Sequence, residues 1–314
     1  MRALITGAAG FIGSTLATAL TDKGVEVVGI DCFTDYYARS IKEQNVAALR
    51  RCPSYRLIEG ELQRVDLAAA LEGVTHVFHL AAQAGVRGSW GDQFKTYTSN
   101  NVDATQRLLE AVKGRPIERL VYASSSSVYG DVAAIPMRED AYLQPVSPYG
   151  VTKLAAEHLC HLYHVNHGVP TVSLRYFTVY GPRQRPDMAF NRFINGALTS
   201  SPIQVFGDGT QIRDFTYVDD VVEANVAAAT SAVDPGTVVN ISGGSQVSVN
   251  EVLAELETIA GTGLQVAYGD TVPGDVFRTG GDSTKARELL RWSPRTSLAE
   301  GLRLQFAAAQ RRAR

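Results

Sequence analysis

The sequence predicts an α/β fold, a doubly wound parallel sheet followed by a smaller C-terminal α/β domain, and three observations carry that expectation. Short β-rich runs alternate with stretches of helical spacing through the first part of the chain, the pattern of strands joined by crossover helices. A glycine turn stands between the first run and the first helix. Past Arg175 the rhythm changes to short segments rich in Gly, Pro, Arg and aromatics, which suggests a smaller domain built around a cleft. The expected division is 1–174 and 175–314, with 214–242 returning to the first domain.

Taken in order, the strand candidates are 3–6, 25–30, 56–58, 76–80, 120–123 and 171–174. Ahead of the fifth, Val102, Leu108, Leu109 and Val112 keep helical spacing. Ahead of the sixth, Ala155, Leu159 and Leu162 do the same and read as the core stripe of their helix. Ala156, Cys160 and Tyr163 form a second apolar stripe beside it, and a helix apolar on two faces must bury both. A further helix is expected near 250–260, and the basic end QRRAR reads as a frayed tail.

Composition narrows the partners. The 314 residues are 45% hydrophobic and 20% charged, and 30 Lys plus Arg against 32 Asp plus Glu leave a net charge of -2. Neither a nucleic-acid patch nor an acidic tail dominates, so an anionic partner must be met locally. No run approaches the length of a membrane span, and the start MRALITGAAGFIGS begins a strand rather than a secretory signal. Cys32, Cys52 and Cys160 are odd in number and far apart, which fits a reduced, cytoplasmic setting. His158, His161, His164 and His167 recur every third residue, but steps of about 300° spread them over half a helix circumference, so no metal site is expected.

Gly7-Ala-Ala-Gly10-Phe11-Ile12-Gly13 has the glycines that let a backbone approach a pyrophosphate, whose charge meets the first amides of the following helix. Asp31, at the end of the second strand, is the expected acceptor for the adenosine ribose hydroxyls. A carboxylate there disfavours a 2′-phosphate, so NAD is expected over NADP. Further on, SPYGVTK opens a helix with a serine cap and a proline, and puts Tyr149 and Lys153 four apart on one face. An ammonium one turn away favours the phenolate and lowers a tyrosine pKa that is otherwise about 10. Tyr149 is thus the expected base.

With these motifs the chain resembles the extended short-chain dehydrogenase/reductases, specifically the nucleotide-sugar epimerases and dehydratases. The likeness is carried by TGAAGFIGS, HLAAQAGVR, NNVDATQRLLEA, YASSSSVYG, SPYGVTK, LRYFTVYGPRQRPDMAF, VFGDGTQIRDFTYVDD and PGDVFRT. It implies a Rossmann domain holding NAD, a C-terminal domain holding a sugar nucleotide, and a catalytic set of Ser125, Tyr149 and Lys153. It also implies cofactor contacts at Glu61, Leu62, Leu80, Ala81, Ala82, Asn101, Ala123 and Tyr176, besides the glycine turn and Asp31. Glu61 stands where the family usually has a shorter Asp against adenine. Arg213 and Arg278 match diphosphate ligands, Gln204, Val205 and Phe206 the uracil segment, and Asp275 a ribose ligand. The family pairs helices apolar on two faces, such as the one that carries these stripes, in a homodimer, whereas a wide monomer core would bury both stripes alone.

Dehydratases of this family carry Asp-Glu after the catalytic hydroxyl, because eliminating water needs a further acid and base. This chain has Ser126-Ser127, and serines donate hydrogen bonds without doing elimination, so epimerisation is expected. Within the epimerases, RYFTVYGPRQRPDMAF looks most like the uridine diphosphate (UDP)-glucuronate 4-epimerases, Asn191 replacing the usual His. Thr178 replaces an Asn frequent in neutral-sugar epimerases, and Arg185 offers a planar fork to a carboxylate. Arg185 as a loop charge or a diphosphate ligand is the alternative. The expected reaction is C4 epimerisation of UDP-glucuronate to UDP-galacturonate through a 4-keto intermediate. UDP-glucose or UDP-N-acetylglucosamine epimerisation, decarboxylation, and an NAD-sensing protein without chemistry are the other readings.

Overall fold

The computed structural model describes residues 1–131, 134–272 and 274–313. Seven parallel strands form the central sheet: β1 (Arg2–Thr6), β2 (Glu26–Asp31), β3 (Tyr55–Glu59), β4 (His76–His79), β5 (Arg119–Ser125), β6 (Thr171–Tyr176) and β10 (Thr237–Ile241). Their spatial order is β10-β6-β5-β4-β1-β2-β3. Chain direction along the sheet reverses after β3, so a crevice opens between the carboxyl ends of β1 and β4, the place where such sheets bind ligands. Helices cover both faces, which is why the inner strands are buried along their whole length instead of alternating; β4, for example, is buried at all four positions.

Two smaller sheets complete the structure. β7 (Thr178–Tyr180), β9 (Ile212–Tyr217) and β11 (Ser245–Ser248) make one, with β9 in the middle, and β8 (Ile203–Phe206) pairs with β12 (Val266–Gly269) in the other. A continuous apolar cluster ties these to the large sheet: Ile5 and Leu16 share it with Val179, Phe190, Phe215, Leu253 and Phe306.

The Pro148–His167 helix corrects the stripe assignment. Ala156 and Cys160 are fully buried and Tyr163 nearly so, whereas Leu162 is 52% and Val165 63% exposed. Lys153 and Glu157 must face the sheet to reach the site, and side chains at i+3, i+4 and i+7 follow them. The stripe of Ala155, Leu159 and Leu162 is therefore the outer one. The chain's end differs too: the Leu298–Ala313 helix runs through QRRA instead of fraying, and Arg314 lies outside the described residues. No helix among the described residues is long and apolar enough to cross a membrane, and no three His, Cys, Asp or Glu side chains gather as a metal site.

Candidate active site

Three element ends build the site. The β1 turn puts Gly7 at φ +71° with no room for a side chain, since a Cβ there would stand 2.9 Å from the Ala81 amide nitrogen. Gly13, in the first turn of the Phe11–Thr21 helix, packs directly on the Gly7 carbonyl. No acidic residue stands in that first turn, so its amides and dipole remain available to an anion. Replacing Gly13 by alanine is expected to displace the β1 turn, cost about 1–3 kcal/mol of stability and lower NAD retention sharply; thermal melting with and without NAD checks both.

A cavity of about 370 Å³ runs from this turn to Tyr149 and Lys153, the expected catalytic pair. Gly7, Gly10, Phe11, Ile12, Gly13 and Asp31 line one end; Leu80, Ala81, Ala82, Ala123 and Tyr176 line its middle. At the other end stand Ser125, Ser126, Ser127, Tyr149, Lys153, Thr178 and Arg185. Glu61 and Leu62 instead line a smaller adjoining cavity that shares Gly7, Asp31 and Ala81, and the Glu61 carboxylate turns to Arg64 at 3.0 Å. Asn101 is buried behind the wall, where its side chain accepts from the Gln83 amide at 2.7 Å and donates to the Gln83 carbonyl at 3.1 Å. It shapes the loop after β4 rather than facing the cavity.

Asp31 is not a bare carboxylate. It accepts from the Ala9 and Phe33 amides at 3.0 and 2.8 Å, and the Lys42 ammonium lies 2.8 Å away, also buried. Any discrimination against a 2′-phosphate at this position would thus rest on an acceptor meeting another acceptor, not on net negative charge. Sequence reasoning missed Lys42, because nothing in the spacing from Asp31 placed it in the cavity.

The catalytic end also departs from the expected electrostatics. Burial raises the Tyr149 phenol above its ordinary value, opposed by a Ser125 hydrogen bond and the Arg185 charge. Lys153 sits with its ammonium 4.5 Å above the Tyr122 ring, and burial brings it down to about 7, so its own charge depends on neighbours. Arg185 is a cation that favours the Tyr149 phenolate here. Arg185 is itself held: its Nε and Nη2 donate to the two Asp187 oxygens at 3.0 and 2.9 Å.

The remaining expected substrate residues lie outside this cavity, and the structure brings Phe206, Arg213 and Asp275 together. Arg87 donates to Asp275 at 2.7 Å and its guanidinium stacks 4.1 Å from the Phe206 ring centroid. Val205 is a core side chain, and the Gln204 amide turns back to the Val205 carbonyl. Arg213 donates to the Ile212 and Phe277 carbonyls, and Arg278 to Gln246 at 2.9 Å. Within PGDVFRT, Pro273 lies outside the described residues, and Gly274 packs beside Val86, Ser147 and Trp90. Arg87, in HLAAQAGVR, is a second residue the sequence reading missed; its juxtaposition with Phe206 and Asp275 depends on loops far apart in the chain.

A seven-stranded Rossmann sheet with a glycine turn, an acidic second-strand end and a serine-tyrosine-lysine set defines a dehydrogenase-like enzyme fold that keeps its nicotinamide cofactor beside a polar substrate cleft. The chain belongs to the NAD dependent epimerase/dehydratase family, whose model matches residues 3–242. A Bacillus subtilis relative described as an uncharacterized UDP-glucose epimerase is 46% identical over 308 residues, covering 98% of this chain and 97% of that one. The UDP-glucuronate 4-epimerase of Thermodesulfobacterium geofontis is 36% identical over 305 residues, covering 96% and 93%. Among solved structures, the UDP-glucuronic acid 4-epimerase from Bacillus cereus, in complex with UDP-glucuronic acid and NAD, superposes with a TM-score of 0.96 at 44% identity over 99% of each chain.

Proposed function

We propose that this chain is an isomerase, an NAD-dependent 4-epimerase that interconverts UDP-glucuronate and UDP-galacturonate. One observation carries the reading: Ser125, Ser126, Ser127, Thr178 and Arg185 share a cavity with Tyr149 and Lys153, and the only carboxylate among its described lining residues is Asp31, at the far end. That set binds a carboxylate and moves a proton at C4 without the acid that elimination requires. NAD, when bound, supplies the reversible hydride acceptor at C4. The glycine turn and Asp31 with Lys42 would hold it. Tyr149, aided by Ser125, takes the 4-hydroxyl proton and returns it to the C4 oxygen once the configuration at that carbon is inverted. Hydrogen bonds from Thr178, Arg185 and the serines hold the carboxylate, which keeps the β-keto acid intermediate from losing carbon dioxide.

Arg87, Phe206, Arg213 and Asp275 gather beside the cavity and support a uridine diphosphate subsite, to which Arg278 is added by the family resemblance. Residues 1–174 with the β10 region then serve the cofactor, and most of 175–314 the sugar nucleotide. The outer face of the Pro148–His167 helix, with Leu162 and Val165 exposed, supports a homodimer, and three free cysteines support a reduced, cytoplasmic setting. A neutral UDP-glucose epimerase is the second reading, favoured by the Asp187 carboxylate already on Arg185. Incubation with UDP-glucuronate and, separately, UDP-glucose, followed by NMR of the anomeric protons, decides. Formation of UDP-galacturonate alone, without a pentose product, is the expected result; turnover of UDP-glucose alone moves the assignment to the neutral sugar.

A further inference from the structure

One buried charged cluster plays no part in the reaction described above, yet it touches every element that carries the catalytic groups. Glu157 lies one helical turn beyond Lys153 and two beyond Tyr149, and is 4% exposed. Its Oε2 accepts from the Ser124 hydroxyl at 2.6 Å, and Ser124 is the residue before Ser125 on β5. Both its oxygens accept from Arg175, at 3.1 Å from Nε and 2.6 Å from Nη2, and Arg175 is the residue before Tyr176 on β6. Arg175 continues to the Tyr129 hydroxyl at 2.8 Å, which donates to Asn240 of β10 at 2.7 Å. One carboxylate therefore joins the helix of Tyr149 and Lys153 to the strands of Ser125 and Tyr176.

We infer that Glu157 is a positioning residue of this enzyme: it anchors the catalytic helix to β5 and β6 and supplies the negative charge that keeps Lys153 cationic. The inference rests on the reading of Tyr149 and Lys153 as the catalytic pair. The geometry gives Lys153 few other sources of charge. Tyr122 of β5 offers a ring face, and Tyr149 and Cys160 on its own helix are buried and neutral. His79 of β4 is fully buried between Thr6 and Thr105 and held neutral by that burial, at about 3. Arg175 of β6 is cationic but committed to Glu157. Cys160 and Glu157 are the groups that raise Lys153 against a burial that brings it to about 7, and burial pushes the Cys160 thiol up and keeps it neutral, which leaves the Glu157 carboxylate one turn along the same helix face. With glutamine at 157 the opposite charge goes and Arg175 is left uncompensated, so both changes disfavour a second cation.

The test reads Lys153 directly, without any sugar nucleotide. The chain has six lysines, so in protein labelled with 13C-lysine and loaded with NAD the Lys153 ε-carbon is assigned by its loss in Lys153→Met and titrated by NMR. Glu157→Gln is expected to lower its midpoint by about one pH unit or more, and Glu157→Asp, which keeps the charge, to restore most of it. Ser124→Ala, which loosens the tie but leaves the charge, is expected to leave the midpoint in place. In turnover assays the alkaline limb of the rate profile moves to lower pH in Glu157→Gln, whereas a merely structural loss lowers the rate at every pH alike. If Glu157→Gln does not fold, Glu157→Gln with Arg175→Met removes both charges, and a smaller downward shift is expected, because an uncompensated Arg175 no longer adds to it. A Lys153 midpoint unchanged in the folded variant overturns the inference. Because the titration needs no substrate, its outcome stands apart from whether UDP-glucuronate is turned over.

Discussion

Tyr149→Phe is expected to lower turnover by about 10²–10⁴-fold while the protein keeps its fold and its NAD. The ring stays useful without its hydroxyl: Tyr149 packs edge-on to Tyr97, with centroids 6.3 Å apart and planes at 78°, and phenylalanine fills the same space. What is lost is the one oxygen in the cavity placed to take a proton beside Ser125. Burial raises this phenol, so below its pKa the phenolate fraction grows about tenfold for each pH unit, and the wild-type rate is expected to climb as pH rises from the acid side. The climb ends where Lys153 loses its charge. Ser125→Ala removes a hydrogen bond that lowers the phenol, so its acid limb moves to higher pH. Rates of UDP-sugar epimerisation across pH, with melting temperatures alongside, check the set. Substantial turnover by a folded Tyr149→Phe protein would remove Tyr149 from the base role.

Much of this site was readable in the residues, and what was not shares one physical cause. The six leading strands were recognisable because each is short and β-rich; the structure moves their ends by one or two residues and adds β10, whose pairing with β6 is invisible locally. Tyr149 and Lys153 announced themselves through local grammar, a capped helix start with the two four apart, whereas Ser125 came from the family resemblance. Lys42, Arg87 and the Glu157–Arg175 pair did not, since each acquires its meaning from a partner 11 to 188 residues away in the chain. The stripe reversal on the Pro148–His167 helix has a different origin. Both stripes are apolar, and hydrophobic periodicity gives a face without saying which side meets the core. The position of Lys153, fixed by chemistry, would have chosen the right one.

The order of the electrostatic effects was likewise out of reach from spacing. A lysine four residues after a tyrosine suggests a cation lowering a phenol, but the real balance depends on burial, and here burial dominates both groups. Arg185 enters that balance as well as the proposed substrate subsite. Its two possible duties, charge beside Tyr149 and fork for a carboxylate, call for variants that separate them.

Arg185→Met removes both duties, and kcat/KM for UDP-glucuronate is expected to fall by about 10–10² from the lost charge-assisted hydrogen bonds, with a further loss near neutral pH as Tyr149 rises. Arg185→Lys keeps the charge but not the fork, so it is expected to hold the Tyr149 limb in place and still bind the uronate poorly. Two of the five guanidinium N–H groups are engaged by Asp187, which leaves the rest of the fork for a ligand while the Asp187 pair fixes its plane. A uronate held this way keeps its carbon–carbon bond out of line with the ketone π-system at the 4-keto stage. Loosening it in either variant is therefore expected to release a UDP-pentose, visible by NMR as a product absent from the wild type. The comparison with UDP-glucose gives the decision: a loss confined to the uronate makes Arg185 a carboxylate ligand, whereas an equal loss on both sugars, with no pentose, makes it a diphosphate or loop residue and leaves Thr178 and the serines to hold the sugar.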